Sequence, residues 1–167
     1  MCENNKCDIC EGVIEDGVEH YSCAVMNERF NDGLYDVYNA EGCITTCSGC
    51  QEKFNVEDEI NRNLVAFIKQ AKTIDKTKSN ITPIHNHYNC QRCNSPIRDG
   101  ETLTTVNHYR ETWNGHTIKP IKAWMLEPLC QSCATNIDIR TAAFKVTDEI
   151  IKKAKRVNDK RLTKVYF

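Results

Sequence analysis

The sequence lacks both a hydrophobic run long enough to cross a membrane and an apolar segment near its start, where it reads Met1-Cys2-Glu3-Asn4-Asn5. A membrane-spanning helix needs about 20 predominantly apolar residues, so we expect no membrane span and no secretory signal. Net charge is also lacking, because 22 basic and 23 acidic side chains leave a formal charge of −1. We therefore expect any contact with nucleic acid to come from a local basic patch.

Cysteine, by contrast, is abundant, and eight of the 11 cysteines repeat one spacing. A Cys-x-x-Cys pair, here called a zinc knuckle, is followed by 36 residues and a second zinc knuckle, and the whole pattern occurs twice. The residues are Cys7, Cys10, Cys47 and Cys50, then Cys90, Cys93, Cys130 and Cys133. Four thiolates in two knuckles are the ligands of a tetrahedral structural zinc site, so the sequence predicts two zinc ions.

Two alternatives concern the use of these cysteines. They could form disulfides in a secreted protein, but the lack of a signal segment favours free thiols in a reducing cytoplasmic compartment. The knuckles could also bind zinc in a crossed order, as in RING domains. Because the spacing recurs at a constant offset of 83 residues, we expect sequential pairing, with one ion held by the first two knuckles and one by the last two.

The offset of 83 also aligns residues other than cysteine. Asp16-Gly17 matches Asp99-Gly100, and Ile68-Lys69 matches Ile151-Lys152. We interpret the chain as two copies of one structural unit, at residues 1–72 and 90–167, joined by a polar linker at 73–89. Burial alone stabilises a repeat of about 66 residues only marginally, whereas a structural zinc site contributes roughly 10–16 kcal/mol.

Each copy is predicted to contain a β-hairpin between its knuckles and a helix after the second one. The hairpins are Tyr21–Phe30 with Leu34–Tyr38 around Asp32-Gly33, and Thr102–Trp113 with His116–Met125 around a type I′ turn at Asn114-Gly115. This order resembles treble-clef zinc fingers over nearly the whole of each repeat. The resemblance implies a small, zinc-stabilised α+β fold, and we expect the two units to pack with pseudo-twofold symmetry, with two separate units as the alternative.

The second copy also resembles HNH nucleases, because Asn107-His108 and Leu129-Cys130-Gln131-Ser132-Cys133 look like their first strand end and last knuckle. Ala134 stands where those enzymes commonly have a further histidine, so a catalytic metal would lack ligands. Four-cysteine sites leave zinc no open position, and we therefore expect a non-enzymatic protein. His108 and Asn136 are the residues that would test a nuclease. His85 and His87 are interpreted as polar linker residues.

Two of the remaining cysteines are interpreted as structural residues of the core. Cys23 and Cys43 are predicted to lie nearly opposite one another on the first hairpin, and their counterparts in the second copy are Val106 and Leu126. Apolar counterparts favour buried small side chains, with a redox pair or a third metal site as alternatives. Cys2 has no predicted partner.

Charge distinguishes the two copies. Residues 1–60 contain 14 acidic and 3 basic side chains, whereas residues 61–167 contain 19 basic and 9 acidic ones. The predicted nucleic-acid contacts are Arg110, Lys119, Lys122, Lys152, Lys153, Lys155, Arg156, Lys160 and Arg161. The acidic copy is predicted to dock on a protein, and a solvated surface is the alternative for both charge groups.

We therefore expect a zinc-binding regulatory protein that contacts nucleic acid or the transcription machinery. Its richness in Asn, Lys and Ile is typical of AT-rich genomes such as those of many phages. The alternative is a protein-binding adaptor or an inhibitor of a host factor, and an HNH-like nuclease is the third hypothesis.

Overall fold

The computed structural model describes residues 5–32, 34–70 and 88–165 as a small α+β protein. The first half contains strands β1 (His20–Asn31) and β2 (Leu34–Cys47) and helices α1 (Ser48–Phe54) and α2 (Val56–Gln70). The second half contains strands β3 (Tyr88–Asn89), β4 (Pro96–Ile97), β5 (Thr102–Trp113) and β6 (Ile118–Cys130), then helices α3 (Gln131–Ile137) and α4 (Ile139–Val165). His85, His87 and Cys2 lie outside the described residues, as does most of the predicted linker. The end of that linker, Tyr88–Asn89, is strand β3.

The two halves share one antiparallel sheet, with strand order β2-β1-β5-β6. Strand β1 pairs with β5 from His20 opposite Glu111 to Arg29 opposite Thr102. The predicted halves are thus joined side by side rather than held apart by a linker. Two further strands, β3 and β4, form a separate small sheet beside the third knuckle.

The core lies between this sheet and the long helices. Ile60, Leu64 and Ile68 recur every four residues along α2 and are almost fully buried. On α4 the buried positions include Ala143 and Ala154, and α2 packs against α4. Burying a leucine or isoleucine side chain contributes about 1.5–3 kcal/mol, so these helix faces stabilise the fold in addition to zinc.

Each predicted helix is in fact two helices. Asn55 ends α1 and Asp138 ends α3, both in the left-handed conformation with φ of 50°. A left-handed residue stops the helical hydrogen bonds and turns the chain. In each half the second knuckle therefore spans the end of a strand and the start of a short helix, and the long helix that builds the core starts in a new direction.

The type I′ turn predicted at Asn114-Gly115 is wrong. That turn requires positive φ at both central residues, and of the two only Gly115 has one, at 86°. The Asn114 side-chain oxygen instead accepts hydrogen bonds from the backbone N–H groups of His116 and Thr117. Strand β6 consequently begins at Ile118, two residues later than predicted.

Positions with positive φ recur at the offset of 83 found in the sequence. All eight described residues with positive φ form pairs separated by 83 positions. They are Glu11 and Asn94, Gly17 and Gly100, Asp32 and Gly115, and Asn55 and Asp138. Since only three of the eight are glycine, the two halves share these torsions even where their residues differ.

Candidate metal centres

The first group of cysteines is assembled from both ends of the first hairpin. Cys7 and Cys10 come from the knuckle before β1, Cys47 ends β2, and Cys50 lies in α1. Their four sulphur atoms all lie within 4.8 Å of one another. Cys7 and Cys50 are buried and Cys10 is exposed, so the centre lies at the edge of the protein.

The second group repeats this construction with Cys90, Cys93, Cys130 and Cys133, again within 4.8 Å. These are the two groups of the sequential pairing, and the crossed order is not found in the part of the chain that the structure describes. The eight predicted ligands therefore form the two predicted sets of four.

The sulphur spacing fits zinc. Tetrahedral zinc with Zn–S bonds of about 2.3 Å places its sulphur atoms about 3.8 Å apart. The Cys10 and Cys47 sulphur atoms are 3.9 Å apart, and so are those of Cys93 and Cys130. Four thiolates are soft ligands that suit zinc and are avoided by magnesium and calcium. The protein has two sites suited to structural zinc ions.

Short backbone hydrogen bonds shape each knuckle around its cysteines. The Glu11 N–H donates to the Cys7 carbonyl and the Asn94 N–H to the Cys90 carbonyl, each at 2.8 Å. At the helix starts, the Cys47 and Cys130 sulphur atoms accept from the N–H groups of Cys50 and Cys133 at 3.5 Å. Hydrogen bonds from N–H groups stabilise thiolate charge, so the ligands are oriented by the chain itself.

The pKa values of the thiols in each group are shifted in opposite directions, and hydrogen bonds that outweigh burial lower the pKa of Cys7 and of Cys93. Burial and the neighbouring sulphur atoms raise the pKa of Cys50 and of Cys133 far above that of an ordinary thiol. A bound divalent cation removes this penalty, because it binds the thiolate and releases the proton. Zinc binding is therefore expected to be lost in acid, and the four-sulphur set leaves no position for a substrate.

The predicted nucleic-acid contacts fall into two separate groups. Arg110, Lys119 and Lys122 lie on the β5–β6 hairpin, where Arg110 faces Lys122 and Lys119 faces Thr112. Arg110 and Lys122 lie near the start of α2, where burial raises the pKa of Glu57 and the charges of these two cations act against that rise. These two cations thus have an acidic neighbour in the first half.

The other group lies on α4 and is itself divided. Lys155 donates to Glu11 at 2.8 Å, next to the first zinc site. Lys152 pairs with Asp148 at 2.8 Å on the same helix. Lys152, Lys153, Arg156 and Lys160 are exposed, whereas Lys155 is only partly so. Arg161 belongs to α4, but its side chain is outside the described part of the chain.

The structure also places residues that sequence reasoning treated differently or missed. His108 is fully buried against Tyr21 and Trp124, so its imidazole has no access to a substrate. His20 and Glu111 were missed, and they form a buried pair at 3.3 Å between β1 and β5. The sequence held one signal for Glu111, which matches Glu28 at the offset of 83. The burial of both acids is seen in the structure.

No model of a known protein family matches the chain, and comparisons with curated proteins and with solved structures likewise give no match. None of the described helices is long and apolar enough to span a membrane.

Proposed function

We propose that this chain is a non-enzymatic, two-zinc regulatory protein that contacts the phosphate backbone of nucleic acid through one face of α4. The observation that carries the proposal is the angular distribution of cations on that helix. With 100° between successive residues, five cations fall within a sector of about 100° and extend over about 22 Å. They are Lys145, Lys152, Lys153, Arg156 and Lys160, here called the α4 stripe.

Lys155 lies about 60° outside this sector, on the side that contacts Glu11. The cation that joins the two halves is thus separate from those that face outward. Glu149 lies within the sector and Asp148 pairs with Lys152, so the stripe keeps a positive excess but not an uninterrupted one. A sparse row of cations of this length suits phosphate contacts, which depend on charge rather than on base identity.

The test is a mobility-shift titration of duplex DNA and of single-stranded RNA over a range of salt concentrations. The variant Lys145→Gln, Lys153→Gln, Arg156→Gln is compared with Arg110→Gln, Lys119→Gln, Lys122→Gln, which changes the net charge equally. For three lost duplex contacts the salt slope falls by about 2.7 in the stripe variant. The hairpin variant is expected to bind as the unchanged protein does, because two of its three cations, Arg110 and Lys122, lie near Glu57. Absence of binding at low salt would refute the proposal.

Two features support a duplicated, pseudo-twofold arrangement of treble-clef units as part of this proposal. The positive-φ residues recur at the offset of 83. In addition, Ala24 lies opposite Asn107 in the β1–β5 register, and Asn107 is the residue 83 positions after Ala24. An antiparallel pairing in which one residue faces its own counterpart is the register that a twofold axis requires. Phage origin remains a prediction from composition, a role in transcription a prediction from the charge pattern, and a cytoplasmic location a prediction from the cysteines and the lack of a signal segment.

The second candidate function is a protein-binding adaptor or inhibitor, and one groove favours it. Between α2 and α4 lies a groove of about 620 Å³, lined by the apolar side chains of Phe67, Val146 and Ile150. Lys145, Lys153 and Arg156 of the α4 stripe also line it, together with Glu59. Failure of nucleic-acid binding, combined with loss of a purified protein partner in the variant Phe67→Ser, would favour this function.

A further inference from the structure

Four side chains, one from each strand, form a row across the sheet. Cys23 on β1 lies opposite His108 on β5, and His108 lies opposite Trp124 on β6. Directly opposed residues in antiparallel strands project to the same face. On β2 the register shifts beside Cys23, with Cys23 opposite Ile44 and Ala24 opposite Gly42, so Cys43 is the extra residue of a bulge. The bulge brings the Cys43 thiol against the Cys23 thiol.

This row departs from the repeat. The counterparts of Cys23 and Cys43 are Val106 and Leu126, and the counterpart of His108 is Val25. The second half therefore fills the equivalent thiol positions with apolar groups. Thiols at positions 23 and 43 are thus a difference between the halves, and thiol chemistry is what the second half lacks at the equivalent positions.

The two thiols differ in accessibility and in acidity. Cys23 is 1% exposed and its thiol also contacts the hydroxyl of Tyr21, which lies 2.6 Å from His108 Nδ1. Cys43 is partly exposed. The interaction between the two thiols raises the pKa of Cys23 and is the largest cause of a lowered pKa at Cys43, where it outweighs burial, while the opposite charges of Glu41 and Arg140 act against each other. One thiol is thus partly exposed with a lowered pKa, and its neighbour is buried with a raised pKa.

We propose that Cys43 and Cys23 are a site of reversible oxidation by hydrogen peroxide, separate from the two zinc centres. The Cys43 thiolate attacks one peroxide oxygen, the O–O bond breaks, and the departing hydroxide takes a proton to become water. The Cys43 sulphur, oxidised by two electrons, is then a sulfenic acid. The Cys23 sulphur attacks it, the S–O bond breaks, and hydroxide leaves as water with the Cys23 proton. Two thiols and one peroxide give one disulfide and two waters.

The location of the pair favours this outcome over damage to the zinc ligands. Cysteines that bind zinc share their electron pair with the metal, whereas Cys23 and Cys43 belong to neither four-cysteine group. A sulfenic acid at Cys43 has a thiol in contact with it, and this proximity favours a disulfide over further oxidation. Reduction by a small dithiol restores both thiols.

The experiment treats the zinc-loaded full chain with hydrogen peroxide, alkylates the remaining thiols under denaturing conditions and digests without reduction. A protease that cleaves after glutamate releases His20–Glu28, in which Cys23 is the only cysteine, and Gly42–Glu52, which contains Cys43, Cys47 and Cys50. We expect these two fragments to be joined, with fragmentation in the mass spectrometer assigning the bond to Cys43. Zinc content measured in parallel is expected to stay at two ions per chain.

Two variants separate the roles of the thiols. In Cys23→Ser the Cys43 sulfenic acid is expected to persist and to be trapped by dimedone. In Cys43→Ser the joined fragments are lost and Cys23 is expected to remain fully alkylatable. A bond from Cys23 to Cys47 or Cys50, or no joined fragments before zinc is released, would overturn the proposal. The mapping on the unchanged chain decides the matter even if a variant fails to fold.

Discussion

The two halves of the chain have similar zinc sites and opposite surfaces. Cys47 and Cys130 begin α1 and α3 with φ of −63° and −64°, and each sulphur accepts from the N–H group three residues later. Around these sites the first 60 residues have 14 acidic and 3 basic side chains, while the remainder has 9 acidic and 19 basic ones. Similar backbone geometry at the two sites is thus compatible with surfaces of opposite charge.

Some of these opposite charges form ion pairs between the two halves. Glu11 of the first half pairs with Lys155, and Glu41 pairs with Arg140. Lys53 of α1 also donates to Asn158 of α4. These ion pairs partly occupy the charges of both halves, so the sequence-based assignment of one partner to each half overstates the charge that faces outward. Lys152 of the α4 stripe is likewise paired, with Asp148. The outward-facing α4 stripe remains the part of the difference that suits an external ligand.

The largest expected effect comes from breaking one zinc site at a time. Cys47→Ala and Cys130→Ala each remove one of four thiolates from a site whose metal contributes roughly 10–16 kcal/mol of apparent binding energy. Because the groups are sequential, each variant is expected to retain one zinc ion, measured by elemental analysis, and to unfold at much lower urea concentration. Loss of both ions from either variant while the sheet remains folded would contradict separate sites.

An intermediate effect is expected at Glu28 and Glu111, which occupy equivalent positions but have opposite environments. Hydrogen bonds from His20 and Ser22 outweigh burial and lower the pKa of Glu111, whereas burial raises the pKa of Glu28. Glu111→Gln is expected to destabilise the protein at neutral pH, by about 1.5–3 kcal/mol for each lost hydrogen bond to a charged group. Glu28→Gln is expected to stabilise it, because it removes a charge that burial disfavours.

The pH dependence of stability distinguishes the two positions, and Glu111 is considered first. The His20 pKa is raised by Glu111, so that contribution is complete below the ordinary histidine pKa of 6.5 and is lost as pH rises through the raised value. The lowered pKa of Glu111 gives a contribution that is present above 4.5 and is lost as pH falls. The destabilisation caused by Glu111→Gln should thus be greatest between pH 4.5 and 6.5, and urea unfolding over this range measures it. A flat profile would contradict an ionised pair.

Glu28 should show the opposite trend. A raised folded-state pKa makes the unfolded chain lose its proton first, so wild-type stability falls as pH rises above 4.5. The advantage of Glu28→Gln is expected to grow as pH rises from 4.5 to 6.5. Loss of zinc in acid would act on both variants in the same direction, so opposite trends in Glu28→Gln and Glu111→Gln cannot result from it.

The sequence predicted the features that depend on local spacing. Both zinc groups followed from the cysteine pattern, and β5 has the predicted bounds, Thr102–Trp113. The left-handed torsions of Asn55 and Asp138 were not predicted, because neither residue requires positive φ and the surrounding fold imposes it. The β1–β5 pairing was also missed, since the register between distant strands depends on tertiary packing. The same limit hid the burial of His108 and the pair of His20 with Glu111.

The smallest expected effect distinguishes Asn55 from Asp138, which end α1 and α3 with the same φ of 50°. Glycine adopts this conformation without the strain of a side chain, so Asn55→Gly is expected to stabilise the protein by up to about 1 kcal/mol. Asp138 differs because its carboxylate also accepts a hydrogen bond from the Thr141 N–H at the start of α4. Loss of such a cap costs about 0.5–2 kcal/mol, so Asp138→Gly should gain nothing or destabilise. Thermal unfolding of both zinc-loaded variants measures the difference, and equal gains would show that the Asp138 cap contributes little.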